Sequence, residues 1–386
     1  MKYVVCVPDG AADEPLDELG GRTPLEAAAM PNLAALAARG ELGRAATIPA
    51  GFPPGSDVGN LSILGYDPAR YHTGRAPIEA AAMGLRLAPD QVAYRCNLVT
   101  VGPDGTMMDF AGGHPTTGAA AEVVAALDDS LGGDSVSFHP GVQYRHILVT
   151  PSSWADAECT PPHDLTGKVA VWPTGPAAPR LRELMDASRH VLARFPALAA
   201  TQVWLWGQGP QPEVPSFAAT YGLDAALVSA VDLVRGLGAL TGIRSVPVEG
   251  ATGWYDTNYE GKRDACLATL ADGADLFLLH VEATDEAGHA GDLGAKVQAL
   301  EHWDRRILGP LVEGLVDLAP WRLLLLPDHP TPVALRTHTS ASVPYVLVDS
   351  AVDGPGGTYS EAATAACQPV PGHTLMSRLT GRAPQG

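Results

Sequence analysis

Seven side chains along this chain have the types and settings to hold two metal ions. Asp9 lies in VCVPDG, Ser56 in PPGSDVGN, Asp285 and His289 in ATDEAGH, Asp328 and His329 in LLLLPDHP, and His338 in RTHTS. Each stands beside an apolar run or in a short loop rich in Gly and Pro. Carboxylate, imidazole and hydroxyl donors in this mixture suit Mn²⁺ or Zn²⁺. A serine among them suggests a nucleophile held on metal, because a free hydroxyl is too weak an acid to ionise near neutrality and no adjacent His base is evident for Ser56. Two ions so held can clamp the attacking and leaving oxygens of an in-line displacement, which is phosphoryl chemistry.

Taken singly, each motif has an ordinary explanation. Asp328-His329 beside prolines reads as a turn. Asp285 and His289 share one face of a helical turn at their spacing, but a solvated loop would look the same. Asp9 could cap a turn, and His338 alone reads as a surface residue. The set is what carries weight, since several separate loops bring compatible donors. Other chemistries lack their motifs: there is no G-x-x-x-x-G-K-[ST], no G-x-G-x-x-G after a strand, and no G-x-S-x-G around Ser56.

The elements that must position these donors alternate. KYVVCV is a short, continuously apolar strand of the kind buried in parallel sheets. PLEAAAM and PNLAALAARG read as helical, GRAATI as a strand, and NLSILG as a short helix that puts Ser56 at its start, where backbone N–H groups favour an anion. YRCNLVTV, GTMMDFA, SVSFHPG and QYRHILV then alternate like antiparallel strands around the helix TGAAAEVVAALDDSL, with RLRELMDASRHVLARF following. From residue 201 the βα rhythm resumes with strands TQVWLW, AALVSA, DLFLLHV, RLLLLP and YVLVD and helices near 229–238, 259–271, 293–316 and 360–366. The expected architecture is α/β: a mostly parallel sheet with helices on both faces, built from 1–87 and 189–386, plus a smaller α+β domain inserted at 88–188. Asp9, Asp285 and Asp328 would follow strands at their C-terminal ends, the edge where open α/β sheets bind ligands.

The chain has 386 residues, 46% of them hydrophobic, and a net charge of −18. That balance argues against nucleic acid and anionic membrane surfaces as partners. A phosphorylated acid remains a fitting substrate if a few basic residues are concentrated in the site. The five cysteines are scattered and form no C-x-x-C, which fits a reducing cytoplasm. The apolar start is too short for a signal peptide, and no run is long enough to span a membrane.

Longer stretches carry a resemblance: PDGAADEPLDELGGRTPLEAAAMPNLAALA, PPGSDVGNLSILGYDP, YHTGRAPIEAAAMGL with YRCNLVTV, WLWGQG, GATGWYDTNYEGK, HVEATDEAGHAGD and LLLLPDH. Over nearly its whole length the chain resembles the archaeal-type, cofactor-independent phosphoglycerate mutases of the alkaline phosphatase superfamily. The resemblance implies an alkaline-phosphatase-like fold and interconversion of 3- and 2-phosphoglycerate through a transient phosphoserine at Ser56. It also implies two divalent ions, Mn²⁺ or Zn²⁺, and no 2,3-bisphosphoglycerate. Asp9, Ser56, Asp328 and His329 would form one metal site, and Asp285, His289 and His338 the other. Lys262 in NYEGK matches a lysine near the transferring phosphate. The alternative activity is that of a related phosphotransferase or phosphatase on another small hydroxy or amino acid, for example a homoserine kinase: SDVGNLS and YHTGRAPIEA lean toward a bacterial branch proposed to phosphorylate homoserine. GGHPTTGAAAEV departs from the archaeal pattern in the inserted domain. There Arg145 is the foremost candidate for binding the anionic substrate, with Arg95, His114 and His146 beside it, while Arg75 in the GRAP turn is a candidate either to hold substrate or to tie the loop.

Overall fold

The computed structural model describes residues 1–385. It divides into two compact units, residues 1–72 with 214 onward, and Thr73–Glu213. Strands are numbered along the chain. β1 (Lys2–Pro8) and β2 (Glu41–Ala46) precede the second unit. β3 (Gln91–Val101), β4 (Met107–Asp109), β5 (Ser137–His139), β6 (Arg145–Pro151) and β7 (Gln202–Gly209) lie within it. β8 (Ala225–Val228), β9 (Arg244–Ser245), β10 (Leu276–Val281), β11 (Trp321–Leu325), β12 (Val343–Asp349) and β13 (Val370–Pro371) follow.

The first unit is built on one sheet ordered β13-β2-β12-β11-β1-β10-β8-β9. Its central strands β11, β1, β10 and β8 run parallel, while β12 is antiparallel to both β11 and β2. Every residue of β10 is buried, as expected for a strand covered on both faces. Phe277, Leu279, Leu325, Trp303 and Leu308 belong to one apolar cluster against this sheet. Each such side chain contributes about 1.5–3 kcal/mol by leaving water. The register pairs Cys6 with both Leu279 and Leu325. Three neighbouring strands therefore end level, and the segments leaving them carry Asp9, Asp285 and Asp328.

Two glycines let these segments approach closely. Gly10 has φ +61°, and a Cβ there would lie 2.5 Å from Asp285 Oδ1. A Cβ on Gly59 would lie 2.6 Å from the Asp328 carbonyl oxygen. That second contact brings the helix Ser56–Ile63 flush against the loop after β11.

The helix expected over 293–316 is present in pieces, Leu293–His302 and Gly309–Leu315, joined by a wider π-helical stretch at Trp303–Leu308. The segment 360–366, expected as a helix, is a succession of turns. Its bonds mix spacings, Thr364 N to Ser360 O and Ala365 N to Ala362 O, and so no α-helical ladder forms.

The second unit is an antiparallel sheet ordered β4-β3-β6-β5, with β7 paired to β3. TQVWLW therefore belongs to this sheet and not to the parallel one in which its apolar run had placed it. The unit also extends beyond 88–188 at both ends. The helix Arg75–Ala82 sets Ala76 and Ala80 against Ala93, Ile147 and Val149. The opposite face of the sheet, through Tyr94, Cys96 and Leu148, packs with Val123, Leu127, Leu181 and Met185 of the helices Thr117–Leu131 and Ala178–Leu192. Residues 75–82 thus form a helical layer of this core, and 202–209 a strand of its sheet.

Candidate active site

The helix Ser56–Ile63 begins at the serine itself, after Gly55 in extended conformation. Ser56 Oγ lies 3.0 Å from His329 Nε2. The same imidazole nitrogen is 3.5 Å from Asp9 Oδ1 and 3.5 Å from Asp328 Oδ2. Asp328 is fully buried and firmly held: Oδ1 accepts from Gly10 N and His329 N, and Oδ2 accepts from Asn60 Nδ2 at 2.8 Å. Asn60, one helical turn after Ser56, also donates to the Ser56 carbonyl at 3.0 Å. Asp9, by contrast, is buried with no hydrogen-bond partner for Oδ1.

The helix Ala283–Ala290 carries Asp285 and His289 on one face. His289 Nε2 is 3.4 Å from Asp285 Oδ2, and His338 Nε2 is 3.4 Å from Asp285 Oδ1. The two imidazole Nε2 atoms are 2.9 Å apart. His289 Nδ1 faces the Arg336 carbonyl at 3.1 Å and His338 Nδ1 faces the Pro54 carbonyl at 3.3 Å. Carbonyls only accept, so each Nδ1 carries a proton, and each Nε2 faces the Asp285 carboxylate.

The seven candidate donors are thus gathered at one edge of the sheet, in two groups. Donor atoms of Asp9, Asp328 and His329 lie within 4.8 Å of one another, as do those of Asp285, His329 and His338. His329 stands at the junction, nearer the second group than its place in the four-residue set suggests. The electrostatics fit cations. Burial, reinforced by the charges of Asp328 and Asp285, pushes Asp9 well above the usual carboxylate range. Burial likewise drives His329 down to about 4, so this imidazole is neutral and has a lone pair to give. Burial opposes ionisation of Asp285, but hydrogen bonds from His289 and His338 overcome it and hold that carboxylate well below its ordinary value. The reverse face of that pair raises His289 to about 9, against the effect of burial. A partnerless buried carboxylate oxygen and converging imidazole nitrogens, which give up their protons when a cation binds, suit divalent-ion sites.

Lys262 has a setting that its sequence did not reveal. It is wholly buried, and Nζ donates to Glu282 Oε2 at 2.5 Å and to the His280 carbonyl at 3.0 Å. Glu282 Oε1 accepts from Ser229 Oγ and Ala230 N and lies 3.2 Å from His280 Nδ1. His280 Nε2 in turn is 3.5 Å from Asp9 Oδ2. Burial disfavours the Glu282 carboxylate, yet the Lys262 ammonium and His280 hold it far below its usual value. His280 and Glu282 are functional candidates missed in the sequence. The available signal was two polar residues spaced by two at the end of an apolar strand.

In the second unit, Arg75, Arg95, His114 and Arg145 gather around two aromatic rings. Glu79, buried, accepts from Arg75 Nε at 3.0 Å and pairs with Arg95 Nε at 2.9 Å. The guanidiniums of Arg95 and Arg75 lie over the Trp206 ring at 4.6 and 5.6 Å, and that of Arg145 lies over Tyr144 at 5.4 Å. His114, exposed and at φ +50°, meets Tyr144 edge-on. Arg95 is buried and not solvent-facing on its strand, and burial lowers it to about 10. His146 is buried too. Its Nδ1 accepts from Gly141 N, and burial next to Arg95 drives it down to about 4. It is therefore a neutral imidazole, with its ring proton on Nε2, which has no hydrogen-bond partner. Three guanidiniums against one carboxylate leave this face positive, suited to phosphate or carboxylate.

A mostly parallel α/β sheet with a cluster of potential metal donors at its strand ends defines the alkaline-phosphatase-like class of fold. The family model for 2,3-bisphosphoglycerate-independent phosphoglycerate mutase matches residues 37–197. A relative from Geobacter sulfurreducens, named a probable 2,3-bisphosphoglycerate-independent phosphoglycerate mutase, is 47% identical over 90% of both chains. A mutase of that name from Methanothrix thermoacetophila is 48% identical over 91% of this chain and 92% of its own. Among solved structures, a Pyrococcus horikoshii protein aligns with a TM-score of 0.76 at 26% identity, covering 100% of this chain and 98% of its own. A cofactor-independent phosphoglycerate mutase from Thermoplasma acidophilum shares the fold at a TM-score of 0.61 and 24% identity, covering 99% of each. The chain belongs to the 2,3-bisphosphoglycerate-independent phosphoglycerate mutase family. Among the described residues no helix is long and apolar enough to cross a membrane.

Proposed function

We infer that this chain interconverts 3-phosphoglycerate and 2-phosphoglycerate by passing the phosphoryl group through Ser56. The observation that carries the reading is the placement of Ser56 Oγ, at a helix start and 3.0 Å from His329 Nε2, amid two groups of cation donors. Asp9, Ser56, Asp328 and His329 would hold one divalent ion, and Asp285, His289 and His338 the other. Mn²⁺ or Zn²⁺ bound there supplies the charge that makes a serine hydroxyl acidic and neutralises the phosphoryl oxygens. Ser56 Oγ then forms a bond to phosphorus as the bond from phosphorus to the glycerate oxygen breaks. The proton lost by Ser56 is matched by one gained at that oxygen. In the second half the other glycerate hydroxyl attacks the phosphoserine and regenerates Ser56. Backbone N–H groups at the start of the helix Ser56–Ile63 favour the anion at this point. Asn60 keeps Ser56 and Asp328 in register.

Lys262 enters this reading as a fixed positive charge that orders Glu282 and, through His280, Asp9. Arg145, Arg75, Arg95 and His114 form the candidate grip on the acid's charged groups, with Glu79 holding two of the arginines. The homoserine-kinase alternative, toward which SDVGNLS and YHTGRAPIEA lean, is the less favoured, since the relatives above are named mutases. The test is turnover of 3-phosphoglycerate to 2-phosphoglycerate by the purified protein with Mn²⁺. Ser56→Ala is expected to drop turnover below detection while leaving the far-UV spectrum intact. No mutase activity in the unaltered protein would sink the assignment.

A further inference from the structure

Thr331 follows Asp328 and His329 in PDHPT, is wholly buried, and touches a donor of each group. Its Oγ1 is 2.5 Å from Asp285 Oδ1 and 3.2 Å from His329 Nδ1. One hydroxyl proton serves these two contacts, and the neighbours decide its direction. The ionised Asp285 carboxylate can only accept, so Thr331 donates to it. That spends the hydroxyl's one proton, so its contact with His329 is a hydrogen bond only when the neutral ring carries its proton on Nδ1 and donates to Thr331 Oγ1, which leaves a bare Nε2 facing Ser56 Oγ. The result is a one-way chain, Nδ1–H to Oγ1–H to Oδ1, running from one donor group into the other.

The hydroxyl has no freedom to turn away. Thr331 N donates to the carbonyls of Ala12 and Gly10, at 3.2 and 3.3 Å. Its own carbonyl accepts from Lys296 Nζ at 2.8 Å, and that buried ammonium is fixed by Asp13 at 2.8 Å. The loop after β1, the loop after β11 and the helix Ala283–Ala290 are therefore tied at a single residue.

We propose that Thr331 is a positioning residue that couples the two metal sites, holding His329 in the tautomer with a bare Nε2 and aiming the Asp285 carboxylate at the same time. The proposal rests on the two-ion reading above, and the experiment separates the two. Mn²⁺ alone is titrated into the metal-free protein, its Thr331→Ala variant and its Thr331→Ser variant, with uptake followed calorimetrically and by the loss of the free-ion electron-spin signal. Two ions are expected to bind the unaltered protein. The weaker one binds the Ala variant about tenfold less tightly or worse, as outer-shell partners of metal ligands usually require. The Ser variant, which keeps the hydroxyl and loses only a methyl group, restores it. Uptake by Thr331→Ala equal to that of the unaltered protein overturns the coupling role alone, and so does a Ser variant as weak as the Ala one. Failure of the unaltered protein to take up two ions overturns the two-ion reading and the proposal with it. A variant-free check is the long-range ¹H–¹⁵N spectrum of the metal-free protein with labelled imidazoles. His329 is expected there as the Nδ1–H tautomer, and the Nε2–H tautomer overturns the proposal whatever the variants do.

Discussion

At the scale of single residues, Asp9 is the most exposed to a trade between stability and ion binding. It is buried, one oxygen lacks a partner, and its pKa is raised by burial and by neighbouring carboxylates. A carboxyl whose folded pKa lies above its unfolded value costs stability as pH rises from the unfolded value through the folded one, because the unfolded chain gives up its proton more readily than the fold does. Asp9→Asn is therefore expected to melt higher than the unaltered protein in chelator and lower in Mn²⁺, as a pair of thermal scans would show. His289 runs the other way. Asp285 raises it to about 9, so in the metal-free protein the pair stabilises fully below the ordinary histidine value and loses this as pH climbs through 9. Ion binding needs the neutral ring, and so Mn²⁺ affinity is expected to rise about tenfold per pH unit toward 9, with release of a proton in calorimetry across buffers of different ionisation heat. The seven ligand candidates were legible because donor types stood next to apolar runs. Asn60 and Thr331 were not, since the carboxylates they bond, Asp328 and Asp285, come from segments far away in the chain and no local spacing marks those contacts.

At the scale of elements, the site depends on how closely a helix can lie against a loop. The helix Ser56–Ile63 touches the Asp328 backbone at Gly59, where a Cβ would come within 2.6 Å of a carbonyl oxygen. Backbone cannot yield as a flexible side chain can. Gly59→Ala is expected to cost about 1–3 kcal/mol in chemical denaturation, and to weaken Mn²⁺ binding by moving Ser56 relative to Asp328. An unchanged midpoint and affinity would show that the helix can shift freely. The sequence announced this helix and the parallel strands through their apolar runs and turn residues. It misassigned β7, because an apolar strand carries no mark of which sheet it will join. It also broke down at 360–366, where an alanine-rich stretch has helical propensity but forms turns instead. Thr364 there bonds the Ser360 carbonyl through its own hydroxyl, a side-chain bond that competes with the helical ladder.

At the scale of the whole molecule, each unit has its own sheet and its own apolar core. Residues 73–213 expressed alone are expected to fold cooperatively, as seen by a single thermal transition. Residues 88–188 alone lack β7 and the helix Arg75–Ala82 and are expected to remain unfolded or aggregate. Equal behaviour of the two fragments would show that those elements are dispensable. The chain enters and leaves this unit side by side: Thr73 Oγ1 donates to the Pro210 carbonyl at 2.7 Å. A segment whose two ends meet can be replaced as a cassette without threading the chain anew. Every donor proposed for the ions lies outside residues 73–213, while all four candidate anion-binding residues lie within them. Lineages, or experimenters, could thus exchange the unit that carries the candidate anion-binding residues by one cut on each side and inherit the proposed nucleophile unchanged, which makes this junction a natural place for new substrate specificities to arise.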